Sequence, residues 1–108
     1  IYATTNGLST TQYRRIEGSG LGKYFDKVFV SEDAGHQKPE KAYFDYVISN
    51  IPENDKSKML IVGDSQSSDI LGGVNAGIDT CWYNPKGLKA KYPSKYTIVS
   101  LEELMSIL

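Results

Sequence analysis

Cysteine is nearly absent: the 108 residues hold one, Cys81. That excludes an internal disulfide framework and a cysteine-based zinc cluster. It also fits a reducing compartment, so the expected location is cytoplasmic. An excess of charge of one sign is missing too. Twelve Lys+Arg stand against thirteen Asp+Glu, a formal net charge of -1, and this balance argues against a nucleic-acid or polyanion binder. No apolar run approaches the roughly 18–20 residues of a membrane span, and the first residues do not read as a basic-then-apolar leader. An initial Met is lacking as well. The chain opens Ile1-Tyr2-Ala3-Thr4-Thr5, an apolar β-type stretch with no polar lead-in, and the expectation is a piece of something longer. What is present is 40% hydrophobic and 23% charged residues, neither disordered nor fibrous in composition, in a length that allows one domain.

Short β-type runs alternate with helical-period runs, without internal repeats. Ile1–Thr5 reads as a strand ended by the turn pair Asn6-Gly7. Ser9 or Thr10 can cap a helix over Thr10–Glu17, stopped by Gly18-Ser19-Gly20. Lys27–Val30 is a short apolar strand, and Ser31–Pro39 reads as a polar loop. Ala42, Tyr43, Tyr46, Val47 and Ile51 repeat at helical spacing before Pro52. Met59–Val62 has the continuous apolar character of a buried strand. A helix is expected over Ser67–Ala76 with Gly77 as its C-cap, then a strand over Asp79–Tyr83, a turn at Asn84–Gly87, a strand over Tyr96–Val99 and a terminal helix over Leu101–Leu108. Strands separated by helices imply crossover connections, hence a mostly parallel, three-layer α/β sheet whose chemistry lies beyond the carboxyl ends of the strands.

Those ends carry a consistent set of groups. The first strand ends in Thr5-Asn6-Gly7, the loop after the second holds Lys38-Pro39, and the third ends in Gly63-Asp64 with Asp69 five residues on. A hydroxyl and loop N–H groups can donate to phosphate oxygens, a lysine can neutralise their charge, and two carboxylates can hold Mg²⁺, a hard cation that takes oxygen ligands. These are the parts of phosphoryl transfer, which is mostly positioning plus charge stabilisation. Each has a plainer reading alone. Thr-Asn-Gly is also a common turn, a loop lysine is usually solvated, Asp64 can cap the next helix, and Asp69 can favour its dipole. Their joint occurrence at strand ends is what singles them out. His36 can contact substrate or be a solvated loop residue. Cys81, Trp82 and most of the eight tyrosines read as core or half-buried strand residues. The four lysines of Lys86–Lys95 read as a solvated loop or as a local attractor of phosphate.

The same residues resemble the haloacid dehalogenase-like hydrolase superfamily over nearly the whole chain. Thr5 looks like the hydroxyl residue of the family's second motif, Lys38-Pro39 like its third, and Gly63-Asp64 through Asp69 like its acidic fourth. Thr5-Asn6-Gly7, Gln12-Tyr13, Phe29-Val30-Ser31-Glu32, Gln37-Lys38-Pro39, Phe44-Asp45-Tyr46, Gly63-Asp64-Ser65, Ala76-Gly77 and Cys81-Trp82-Tyr83-Asn84-Pro85 look like the branch of pyrimidine 5′-nucleotidases acting on noncanonical nucleoside monophosphates. The resemblance implies a Rossmann-like core and a Mg²⁺-dependent phosphohydrolase working through an aspartyl-phosphate. In that scheme Thr5 and Asn6 bind phosphoryl oxygens, Lys38 stabilises the nucleophile and developing charge, Asp64 ligates the metal and Asp69 assists and orients. The alternatives are a phosphatase of another small phosphometabolite and a non-catalytic binding or regulatory module of the same superfamily.

The sequence departs from the family at its first motif. No Asp-x-Asp occurs anywhere in the chain, and in the family that motif carries the nucleophile and the general acid/base. The family sheet runs 5-4-1-2-3, with this motif on strand 1. Residues 1–108 would supply strands 2 to 5, so a one-strand gap is expected between the strand ending at Thr5 and the strand ending at Val62. The cap domain of this branch is likewise absent. The expectation is a half-core whose partner is the missing N-terminal half of the same protein, inactive without it, with no nucleic acid or membrane among its partners.

Overall fold

The computed structural model describes all residues, 1–108, and contains two parallel sheets with a gap between them. Strand β1 (Tyr2–Thr5) pairs with β2 (Lys27–Val30), with Tyr2 opposite Lys27 and Thr5 opposite Val30. Strand β3 (Leu60–Gly63) pairs with β4 (Asp79–Tyr83), and β4 with β5 (Tyr96–Ile98). The sheet orders are β1-β2 and β3-β4-β5. No hydrogen bonds join β1 to β3, so both keep an unpaired inner edge, where the family resemblance implies a one-strand gap.

The helices are α1 (Ser9–Ser19), α2 (Ser31–Ala34), α3 (Lys41–Ser49), α4 (Leu71–Ala76) and α5 (Leu104–Ile107). None is long and apolar enough to cross a membrane. The apolar face of α3 fixes the core: Tyr43, Phe44 and Val47 pack with Phe29 of β2, Ala76 of α4 and Ile78. Because Phe29 belongs to one sheet and Ala76 and Ile78 to the other half, this cluster holds the halves together by burial of apolar surface. The Tyr43 hydroxyl donates to the Phe29 carbonyl at 2.7 Å, so the buried phenol is satisfied. Burial pushes its pKa well above the ordinary tyrosine value. Cys81 and Trp82 are buried on β4, as their core reading expects.

Several local expectations change. The polar run after β2 is not all loop, since Ser31–Ala34 forms a helical turn closed by Gly35 in the left-handed region. Helix α1 starts at Ser9 without a side-chain cap from Ser9 or Thr10. Its first N–H is instead satisfied across the chain, where Ser9 N donates to Glu32 Oε1 at 3.0 Å. The expected helix over Ser67–Ala76 begins as a wide turn over Gln66–Ile70, with Ile70 N donating to Ser65 O at 3.1 Å, before tightening into α4. The Ser65 side chain caps this turn by accepting from Ser68 N, so Asp64 is not the cap. The terminal helix likewise starts as a 3₁₀ turn over Leu101–Glu103, held by a Ser100/Glu103 capping box. Finally, β3 is less buried than its composition implies, with Val62 41% exposed. As the edge strand of its sheet, β3 has one side of its ladder open.

Candidate active site

The carboxyl ends of β1 and β3 meet at Lys38. The Lys38 backbone is clamped by Asn6, whose Oδ1 accepts from Lys38 N at 2.9 Å and whose Nδ2 donates to Lys38 O at 3.1 Å. This reciprocal pair fixes the loop through the cis Lys38-Pro39 bond to the turn after β1. From there the Lys38 side chain crosses toward the other sheet. Its Nζ donates to Thr4 O at 3.1 Å and to Asp69 Oδ1 at 2.6 Å. Both side chains are about nine-tenths buried, at 10% and 11% exposure. An ammonium has three protons; two are used here, and the third has no acceptor within the chain.

Asp69 reaches Lys38 because Gly63 has no side chain. A Cβ at Gly63 would lie 2.3 Å from Asp69 Oδ2. That oxygen accepts from Ser65 N at 3.3 Å, so both oxygens of Asp69 have partners, one of them the lysine. Asp64, the neighbouring strand-end carboxylate, is exposed and accepts no hydrogen bond. Its carbonyl accepts from Trp82 Nε1 at 3.0 Å, which anchors the strand end to β4. Magnesium takes oxygen ligands, one or two carboxylates and several waters. A free carboxylate at Asp64 fits one position of such an ion. No group of three His, Cys, Asp or Glu side chains converges, so this chain offers a metal one corner of a site and not a cage.

Thr5 and Asn6 stand at the tip of β1. Thr5 Oγ1 accepts from Gln12 Nε2 at 2.8 Å, and Gln12 also donates to Asn6 O at 2.7 Å. The turn is further pinned by Ser31, whose Oγ accepts from Gly7 N at 2.8 Å and donates to Gly7 O at 3.2 Å. Behind it, Asp33 of α2 accepts from the hydroxyls of Ser9 and Tyr13. Burial and the Asp33 carboxylate raise the Tyr13 pKa.

Between β1 and β3 runs an open slot of about 670 Å³, lined by Ile1–Thr4 on one side and Leu60–Asp64 on the other and floored by apolar residues including Phe44 and Val47. Lys38, Asp69 and Asp64 also line it. The sequence-predicted groups Lys38, Asp64 and Asp69 therefore share one cavity, with Thr5 and Asn6 tied to it through Lys38 and Thr4. His36 stays outside, exposed and 3.5 Å from Glu40. The lysines of residues 86–95 are exposed, in keeping with a solvated loop. The loop backbone is tied to the acidic loop by Gln66, whose Oε1 accepts from Lys91 N at 2.9 Å and Tyr92 N at 2.8 Å. Reading strand ends alone gave no part to Gln12, Ser31, Asp33 or Gln66. Their work is to brace loops from a distance in sequence, and only the Asn6-Gly7 turn followed by a helix signalled that something must hold it.

Comparison with known proteins places this arrangement. The sequence profile of the haloacid dehalogenase-like hydrolases matches residues 3–83. The HAD-hydrolase YfnB of Bacillus subtilis is 50% identical over 111 residues, which cover 100% of this chain and 47% of that protein. Its crystal structure, bound to magnesium, superposes with a TM-score of 0.95 over 99% of this chain and 48% of that one. The pyrimidine 5′-nucleotidase YjjG of Escherichia coli is 44% identical over 96% of this chain and 47% of its own length. The pyrimidine 5′-nucleotidase PynA of Streptococcus pneumoniae is 41% identical over 100% and 46%. The chain thus spans about half the length of the curated relatives it matches. The matched profile runs from the strand that ends at Thr5 through Lys38, Asp64 and Asp69 to the end of β4, and on that ground the chain belongs to the haloacid dehalogenase-like hydrolases.

Proposed function

We propose that residues 1–108 are the C-terminal portion of a magnesium-dependent phosphohydrolase that acts on nucleoside 5′-monophosphates, and that the slot between β1 and β3 receives the strand bearing its nucleophile. The observation that carries this reading is the buried Lys38 ammonium, held by Asp69 and Thr4 O at the end of the slot with one proton unassigned. A strand laid in the slot would pair with β1 and β3 and bring its carboxyl end to that ammonium. An aspartate there would attack phosphorus as the bond to the nucleoside 5′-oxygen breaks, and that oxygen takes up a proton to leave as the free nucleoside. Water then cleaves the aspartyl-phosphate to inorganic phosphate and the regenerated carboxylate.

The residues of this chain act around that step. Lys38 keeps the attacking carboxylate charged and offsets charge developing on the phosphoryl oxygens. Thr5 Oγ and the remaining amide proton of Asn6 donate to those oxygens. Asp69 fixes the ammonium. Asp64 would hold magnesium, which when bound neutralises phosphoryl charge. The nucleotide preference is supported by the two relatives named pyrimidine 5′-nucleotidases. The N-acylneuraminate-9-phosphatase of Homo sapiens is also similar, 35% identical over 96% of this chain, which keeps a phosphatase of another small phosphometabolite as the second reading.

The test is phosphate release by the complete protein against pyrimidine and purine nucleoside monophosphates and sugar phosphates, with magnesium and with a chelator. Turnover of nucleoside monophosphates that is lost on chelation and in Asp64→Asn is expected, and residues 1–108 alone should release none. Full activity in Asp64→Asn would remove the metal-ligand assignment. Preference for a sugar phosphate would favour the second reading.

A further inference from the structure

The side chain of Gln12 folds back from the first turns of α1 over the tip of β1. Its two amide protons go to Thr5 Oγ1 at 2.8 Å and Asn6 O at 2.7 Å. The amide orientation is fixed by chemistry: Asn6 O only accepts, so turning the amide over would set two carbonyl oxygens against each other. At its other end, Gln12 Oε1 lies 3.4 Å from Arg15 Nη1. The chain makes room for this contact at Gly7, whose φ is 145° and where a Cβ would come within 2.9 Å of Gln12 Nε2 and 3.0 Å of its Cγ. Any larger residue there meets the glutamine amide.

The consequence lies in the hydroxyl of Thr5. A hydroxyl has one proton to donate and two lone pairs. Gln12 fills one lone pair, which leaves the proton and the second lone pair for further partners, and of these only the proton can serve an anionic oxygen. The acceptor within the chain is Asn6 O at 3.4 Å, at the outer limit of a hydrogen bond and already taken by Gln12 at much shorter range. The proton is therefore weakly held and available to an arriving acceptor oxygen.

We infer that Gln12 is a positioning residue that sets the Thr5 hydroxyl as a donor, so that the tip of β1 selects ligands presenting an anionic acceptor oxygen, a phosphoryl group above all. This rests on the proposed phosphoryl-binding role of Thr5. The role of Gln12 is exerted through one atom, and that separates it from a role in holding α1 to the sheet. A glutamine that only stabilised the loop would affect ligand binding whether or not Thr5 carried its hydroxyl.

The experiment measures inorganic phosphate binding to the complete protein by calorimetry, together with kcat and KM on its best nucleoside monophosphate. The variants are Thr5→Val, Gln12→Met, the double variant and Gln12→Glu. Thr5→Val should weaken phosphate binding about tenfold or more, the effect of a hydrogen bond to a charged group. Gln12→Met keeps the volume and removes the donor, and should weaken binding about threefold to fivefold, with KM moving more than kcat. In the Thr5→Val background it should have no further effect. Gln12→Glu is isosteric, but its carboxylate accepts the Thr5 proton and repels phosphate, so it should bind phosphate more weakly than Gln12→Met. Equal losses from Gln12→Met with and without the Thr5 hydroxyl would overturn the inference. So would phosphate binding unchanged in Gln12→Met but impaired in Thr5→Val, which would leave the reading of Thr5 standing. Phosphate binding unchanged in Thr5→Val would overturn both.

Discussion

Replacing Lys38 by Met perturbs stability and chemistry at one atom, and the structure sets the size of the first effect. Lys38 Nζ and Asp69 Oδ1 are 2.6 Å apart with each side chain about one-tenth exposed. At that separation the Coulomb attraction is about 6 kcal/mol for an effective permittivity of about 20, and the desolvation of both ions offsets most of it. The pair is therefore worth little against an apolar replacement, yet costly to break from one side. Lys38→Met leaves the Asp69 carboxylate with Ser65 N at 3.3 Å as its remaining donor and also removes the bond to Thr4 O. A loss of about 3–5 kcal/mol is expected for a stranded buried charge. Asp69→Asn removes the opposite charge and should destabilise by about 2–4 kcal/mol on the same reasoning. The double variant Lys38→Met/Asp69→Asn strands neither charge, so it should fall short of the sum of the singles by about 2 kcal/mol or more. Urea unfolding of the complete protein measures all three, with Trp82 as a local reporter, since it is buried and bonded to the Asp64 carbonyl. Phosphatase activity should be absent in every variant, including the double variant that regains stability. Single variants that each lose under about 1 kcal/mol, or losses that add, would refute a buried pair held by its own charges.

Two further outcomes follow from the core. Gly73→Ala would set a Cβ 2.2 Å from Thr80 Cγ2 and 3.2 Å from Ile61 Cδ1. It should cost about 1–3 kcal/mol as overpacking, partly recovered in Gly73→Ala/Thr80→Ser, which removes the clashing methyl; thermal melts compare the three. The Tyr43 phenol holds its proton in the folded state above its ordinary range because it is buried. Its stabilising share is intact below about pH 10 and is lost progressively as pH rises beyond that, because the unfolded state then ionises first. Tyr43→Phe should flatten that alkaline fall while losing about 1 kcal/mol at neutral pH with the bond to the Phe29 carbonyl, as read from unfolding midpoints across pH.

The strand ends were legible because they combine two strong signals, an apolar run and a polar break. Tyr2–Thr5, Lys27–Val30 and Asp79–Tyr83 sit within a residue of where their composition puts them, and the Gly77 cap has φ 72°. The unpaired inner edges of β1 and β3 could be anticipated only through the resemblance, since a strand's own residues do not say how many partners it has. The helix starts were less legible. Ser9 and Asp64 each looked like a cap, but long-range partners claim Ser9 and Ser65 caps the turn beside Asp64, and single-sequence reasoning cannot see across a gap of 24 residues in a bond such as Ser9 to Asp33. Within the candidate site, the sequence marked the polar and charged groups that gather at the strand ends. The groups that hold them, Gln12 and Gly63 among these, act through contacts that the fold alone creates.

The unpaired inner ladders of β1 and β3 bear on how such a chain behaves among copies of itself. An edge strand with free N–H and C=O groups is a template for any extended segment, and natural proteins blunt such edges with lysine, proline or a bulge. Here the exposed edge residue Val62 is apolar and the slot carries two ladders at once. Two molecules held at high concentration can pair edge to edge along these open ladders, so self-association is favoured as concentration rises. The slot that stays open along β1 and β3 is thus a surface on which extended segments can pair.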